Sequence, residues 1–179
     1  MKTAWSNLFG YKKNAHSDDI STIDVLAGVP IFEGFSKREL AAIERILHRR
    51  EYIRDEVIFK QGERGAGMYI VYQGQVAVIS GPDKQELSII GDGDFFGEVA
   101  LLDEAPRTAT MIAKTDCSIF GFFQPDLFDL IARDSRLGVK IVLRVARIAC
   151  QRLRNANERI VSLTDELETM KKLTPDIKS

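Results

Sequence analysis

A chain of 179 residues, 45% hydrophobic and 28% charged, is long enough to bury its own core and suits one domain with appended helices. Its formal net charge of −1 argues against a protein built around a nucleic-acid backbone footprint. Two cysteines, Cys117 and Cys150, and two histidines, His16 and His48, match no zinc or iron–sulfur spacing. The cysteines therefore read as buried reduced thiols, no metal or other cofactor is expected, and the expected compartment is the cytoplasm.

The N-terminal segment 1–19 stands apart from the rest. Trp5, Leu8, Phe9 and Tyr11 precede Lys12 and Lys13, then a polar run reaches Asp19. Such a pattern can anchor on a membrane or a partner, but a folded-back tail or plain disorder is the favoured reading. No apolar signal core follows the start, and the apolar stretch Ile141 to Cys150 is broken by Arg144 and Arg147, so no membrane span is expected.

Asp19 to Pro30 reads as a short helix with Ser21 as a possible cap; Ile23, Leu26 and Val29 are its apolar face, and Gly28 and Pro30 end it. Ser36 and Glu39 form a capping-box pattern before Leu40, Ile43, Ile46 and Leu47, which recur at helical spacing. From Tyr52 the period changes to two. Val57 and Phe59, Tyr69 and Val71, Val76 and Val78, and Leu87 and Ile89 alternate in short runs. Gln61-Gly62, Gln73-Gly74, Gly81-Pro82-Asp83 and Gly91-Asp92-Gly93 separate them as turns. Strand character returns at Thr108 to Ala113 and Cys117 to Phe123, and the whole predicts a small antiparallel barrel or roll. Pro125 then opens a helix with Leu127, Phe128 and Ile131 as its apolar face, and Asp134 or Ser135 caps a long last helix. The expected division is 1–19, a roll with flanking helices over 20–134, the long helix over 135–173, and a tail over 174–179.

Between two predicted strands lies Phe95-Phe96-Gly97-Glu98-Val99-Ala100-Leu101-Leu102, then Asp103-Glu104-Ala105-Pro106, then Arg107-Thr108-Ala109-Thr110. Its chemistry can be read directly. Gly97 removes the Cβ that would keep an anion from the backbone, and a helix starting at Glu98 would present unpaired N–H groups. Val99, Leu101 and Leu102 would hold that helix on the barrel wall. Arg107 supplies a permanent charge with a planar donor fork suited to phosphate oxygens. Spacing alone would equally allow Glu98 and Arg107 to be a surface ion pair on a β-bulge.

The full run closely resembles the phosphate-binding cassette of cyclic-nucleotide-binding domains, the family of the catabolite activator protein and of protein kinase A regulatory subunits. Gln61-Gly62-Glu63 through Met68-Tyr69, and Gln75-Val76, resemble the strand and glycine pattern of that family, and the likeness covers roughly residues 20–165. The fold it implies is mainly β: an antiparallel β-roll of the double-stranded β-helix or jelly-roll kind, with N-terminal helices and a long C-terminal dimerisation helix. The resemblance also implies that Arg107 and the N–H of Ala109 cradle a cyclic phosphate while Glu98 receives the ribose 2′-hydroxyl. Gly97, Glu98, Val99, Ala100, Arg107, Thr108, Ala109 and Asn157 are the candidate ligand-binding residues. Thr108 stands where a threonine bonds guanine in domains preferring cyclic GMP, although cyclic AMP domains carry serine or threonine there too. Cyclic AMP is the first expectation and cyclic GMP its competitor. One position departs from the pattern: Ala66 stands after Gly65, where an acidic residue commonly supports the cassette arginine.

In the last helix Val139, Val142, Ala146, Ala149, Leu153, Ala156, Ile160, Leu163, Leu167 and Met170 alternate at spacings of three and four. That a/d seam predicts a parallel coiled-coil homodimer, with Glu166 facing Lys171 and Arg152 facing Asn157 at g and e positions. In the catabolite activator group this helix also closes the nucleotide pocket, and the matching stretch here is Arg154-Asn155-Ala156-Asn157. Asn157 is either a reader of the base edge or a solvated e-position residue.

Three functional readings follow. One is a ligand-gated switch that passes its signal to an unidentified downstream protein. The second is a transcription regulator of the same family; with the chain ending at Ser179, soon after the coiled coil, no recognition helix and no direct DNA binding are expected. The third, suggested by Ala66, is a scaffold whose roll no longer takes ligand. Asp103 and Glu104 are adjacent carboxylates without a nucleophile–base pair, so no enzyme is expected.

Overall fold

The structure, a computed structural model, describes residues 21–81 and 85–173; the aromatic N-terminal segment, the Pro82-Asp83 turn and the 174–179 tail lie outside them. Helix α1 (Thr22–Gly28) starts where Ser21 Oγ accepts the Asp24 N–H at 3.2 Å. A single 3₁₀ turn, Pro30–Phe32, leads to α2 (Lys37–Glu44). Its capping box is reciprocal: Glu39 N–H donates to Ser36 Oγ at 3.3 Å, and Ser36 N–H donates to Glu39 Oε2 at 2.7 Å. Ile46 and Leu47 lie past the end of α2 yet still pack against the core.

Eight strands follow: β1 (His48–Tyr52), β2 (Val57–Phe59), β3 (Gly67–Gln73), β4 (Val76–Ser80), β5 (Gln85–Ile90), β6 (Phe95–Phe96), β7 (Thr110–Ala113) and β8 (Cys117–Phe123). They pair antiparallel throughout in two four-stranded sheets, ordered β1-β8-β3-β6 and β2-β7-β4-β5. This is the antiparallel roll that the alternating pattern predicts.

The period of two divides each central strand between two cores. Met68 and Ile70 of β3 and Phe120 and Phe122 of β8 pack with Leu26, Phe32, Leu40 and Ile43 of the N-terminal helices. Val71, Cys117 and Ile119, facing the other way, join Val76, Phe96, Met111 and Ala113 inside the roll. Burial on both faces makes β3 and β8 nearly continuous apolar runs.

Helix α3 (Val99–Leu102) interrupts the roll between β6 and β7. After β8 come α4 (Gln124–Arg133), with Pro125 in its first turn, and α5 (Ser135–Leu173). Asp134, rather than Ser135, caps α5: its carboxylate accepts the Leu137 N–H at 3.0 Å and its carbonyl accepts the Gly138 N–H. Leu137, Ile141 and Val145 of α5 are buried in the helical core, which therefore continues past residue 134 without a break. Lys140 fastens α5 to α2 by donating to both Glu39 oxygens, at 2.8 and 2.9 Å, and to the Gly34 carbonyl at 3.0 Å.

Three expectations are corrected. Phe128 is 59% exposed, because α4 turns Leu127, Leu130 and Ile131 inward instead. On α3, Ala100 and Leu101 are the buried pair, while Val99 and Leu102, three residues apart on one turn, both face outward. Cys117 is buried as expected, but Cys150 is exposed on α5.

Candidate functional site

A cavity of about 400 Å³ opens where α3 meets the sheets. Seven of the eight predicted binding residues line it: Gly97, Glu98, Val99, Ala100, Arg107, Thr108 and Ala109. Val78 and Ser80 of β4, Leu87, Ser88 and Ile90 of β5, and Met111 of β7 form a largely apolar wall. Ser88, only 5% exposed, places a hydroxyl-bearing side chain in that wall.

Arg107 is held at both ends. Its N–H donates to the Glu63 carbonyl at 2.8 Å, its carbonyl accepts the Gly62 N–H at 2.9 Å, and Pro106 bridges Arg64. The loop from Lys60 to Ala66 thus clamps the backbone on which the guanidinium stands. The side chain, 8% exposed, donates from Nη1 to the Gly97 carbonyl at 3.2 Å. Its Cζ sits 4.2 Å from the centroid of the Phe59 ring and 5.6 Å from that of Tyr69. Burial pulls the guanidinium below its ordinary pKa, opposed by the through-space effects of Tyr69, Glu63 and Glu98. Among the described residues it makes no ion pair, as the loss of an acid at Ala66 foreshadows.

Gly97 has φ +72°, a conformation that side chains rarely adopt, and a Cβ there would run into Arg107 Nη1. Two requirements thus converge on one glycine. Beside it, Glu98 is 3% exposed and ion-paired at 2.5 Å with Nη1 of Arg152 from α5. Arg152 also lies over the Phe95 ring, 4.9 Å from its centroid. The surface-pair alternative is therefore set aside: Glu98 and Arg107 are buried, and Glu98 pairs with Arg152 instead.

Arg152 is thus engaged by Glu98 of its own chain, where the seam assigns it to a g–e pair with Asn157 of a second copy. Arg152 turns into the cavity, and Asn157, five residues further along α5, is exposed and outside the lining of this chain's cavity. Sequence reasoning missed Arg152, Phe59, Tyr69 and Ser88. A signal for Arg152 exists: Leu137, Ile141, Val145 and Ile148 form the domain-facing stripe of α5, and Arg152 is its next member.

The sequence signature of the cyclic nucleotide-binding domain matches residues 49–134. The cyclic AMP receptor protein of Thermus thermophilus is 31% identical over 144 residues, covering 79% of this chain and 65% of the relative. A cyclic nucleotide-gated potassium channel of Rhizobium etli is 32% identical over 125 residues, covering 70% of this chain and 34% of the channel. Among solved structures, the Thermus thermophilus catabolite activator protein superposes with a TM-score of 0.68 at 30% identity, over 75% of this chain and 63% of that one. The chain thus spans about a third to two thirds of these relatives' lengths. With the cassette, its buried arginine and the roll all in place, the chain belongs, through residues 49–134, to the family of cyclic nucleotide-binding domains.

Proposed function

We propose that this chain is a non-catalytic sensor in which a cyclic nucleotide, cyclic AMP first, occupies the cavity and acts on α5. One observation carries the choice of ligand. Glu98, Arg107 and Arg152 are the ionisable side chains of the lining, and Glu98 and Arg152 offset each other. The remaining charge is the single positive one on Arg107, which matches a singly charged cyclic phosphodiester better than a doubly charged nucleoside monophosphate. The apolar wall from β4 and β5 suits a purine face. Relatives named for cyclic AMP and for cyclic nucleotide gating support the same choice.

In this reading the phosphate meets Arg107 and the N–H of Ala109, which makes no backbone hydrogen bond among the described residues. The ribose 2′-hydroxyl donates to Glu98, the carboxylate that Arg152 holds, so sugar binding is felt directly on α5. The ligand can shift α5 only by the difference in its affinity for the two positions of that helix. Thr108, exposed on the cavity lining, favours cyclic GMP as the second ligand to try. The signal passes from α5 to an unidentified downstream protein.

Calorimetric titration with both nucleotides tests the site. Arg107→Ala should weaken binding by about 100-fold, the scale of a lost charge-assisted contact. Glu98→Gln should reduce the preference for cyclic AMP over its 2′-deoxy analogue by about 10-fold. Undiminished binding by Arg107→Ala refutes the assigned site, and no binding of either nucleotide by the unaltered chain favours the scaffold reading.

A further inference from the structure

The Arg107 guanidinium lies in a slot. On one side is the face of Phe59, with its centroid 4.2 Å from Cζ. Two glycine backbones also crowd it: a Cβ at Gly65 would come within 2.6 Å of Cζ and Nε, and one at Gly97 would strike Nη1. The Phe59 ring is itself braced by Tyr69 and Phe96, each 5.7 Å away between centroids, and Tyr69 stacks on Phe96 at 5.4 Å. Three rings from β2, β3 and β6 thus make a rigid platform under one cation.

We propose that Phe59 is a positioning residue: its ring face, in place of a carboxylate, keeps Arg107 turned into the cavity before any anion arrives. The inference rests on the cyclic-nucleotide reading above and adds how the arginine is readied. An acidic support would hold the guanidinium by neutralising it, so an incoming phosphate would have to compete for the same donors. A ring face attracts the cation through its quadrupole and takes up none of its N–H donors. Ala66 leaves room for this solution, and the donors of Arg107 beyond those engaged by the Gly97 carbonyl and Tyr69 stay available to the ligand. A long arginine otherwise samples many rotamers, and only the fraction turned inward binds, which lowers apparent affinity by that fraction.

The test replaces Phe59 with mono-, di- and trifluorinated phenylalanines, which keep the ring's shape while draining its negative face, and takes Phe59→Leu as the endpoint. Each chain is titrated with cyclic AMP and cyclic GMP, and its ligand-free unfolding midpoint is recorded. Affinity should fall step by step with fluorination, reaching about 10-fold for the trifluorinated ring, with little change in unfolding midpoint. A flat series, or one in which fluorination tightens binding, overturns the platform while leaving the nucleotide site standing. Failure of the unaltered chain to bind either nucleotide overturns the nucleotide reading and the platform with it.

Discussion

The Glu98–Arg152 pair is the most consequential contact that one residue makes across this molecule. The Glu98 side chain is 4% exposed and that of Arg152 25%, so the carboxylate is the more desolvated partner. Removing a partner from a buried pair costs more than removing both, because the survivor keeps its desolvation penalty. Arg152→Met should therefore lower stability by about 3 kcal/mol, and adding Glu98→Gln should restore part of the loss, as thermal unfolding of the double-mutant cycle will read. A variant as stable as the parent would mean that the pair contributes nothing in solution. At this scale, what could be read in advance was contiguous. Gly97, Glu98 and Arg107 sit in one sixteen-residue run, whereas Phe59, Ser88 and Arg152 reach the same cavity, and Tyr69 reaches Arg107 behind it, from positions scattered along the chain. Chain distance hides such partners, since nothing local marks a phenylalanine in a strand as the support of an arginine.

At the scale of elements, α5 and the N-terminal helices behave as one packed unit. Lys140 draws the Glu39 carboxyl down from its ordinary 4.5 to about 2, chiefly by its hydrogen bonds, helped by the Ser36 N–H. A carboxyl depressed in the folded state stabilises fully above its unfolded pKa, and that contribution is lost as pH falls from 4.5 towards 2. Lys140→Met should lower the unfolding midpoint near neutral pH, and the gap from the parent should close as the solution approaches pH 2. A gap independent of pH would assign the loss to the Lys140 ammonium over the Phe35 ring, 4.1 Å from its centroid, instead. Ile141, fully buried between α5 and the core, contributes more than any surface contact of the helix: Ile141→Ala should cost about 2–5 kcal/mol in chemical denaturation. Most elements were legible from periodicity, caps and turns. The exceptions among the strands are β6, whose two residues are too few to show a period, and β1, His48–Tyr52, whose charged and mostly exposed residues carry no alternation because it is an edge strand paired only with β8.

At the scale of the whole molecule, α5 extends about 58 Å at helical rise, and only its first half lies on the domain. Leu153, Ile160, Leu163, Leu167 and Met170 are all exposed along its distal half. A helix so placed gains little from propensity alone, and its regular seam fits a second copy of the chain. Sedimentation should return a dimer for the parent and a monomer for the double variant Leu153→Glu with Ile160→Glu; a monomeric parent would end the coiled-coil proposal. Periodicity and one contiguous motif determined the roll, the helix caps, the apolar seam and the phosphate cassette, because local spacing controls which face each side chain takes. Tertiary structure alone decided that Arg152 enters the cavity and pairs with Glu98, that Asn157 stays outside, and that a ring face rather than a carboxylate carries Arg107. Those outcomes depend on how separate elements cross in space, and the free energy of a buried charge is set by whatever surrounds it in three dimensions, not by its neighbours along the chain.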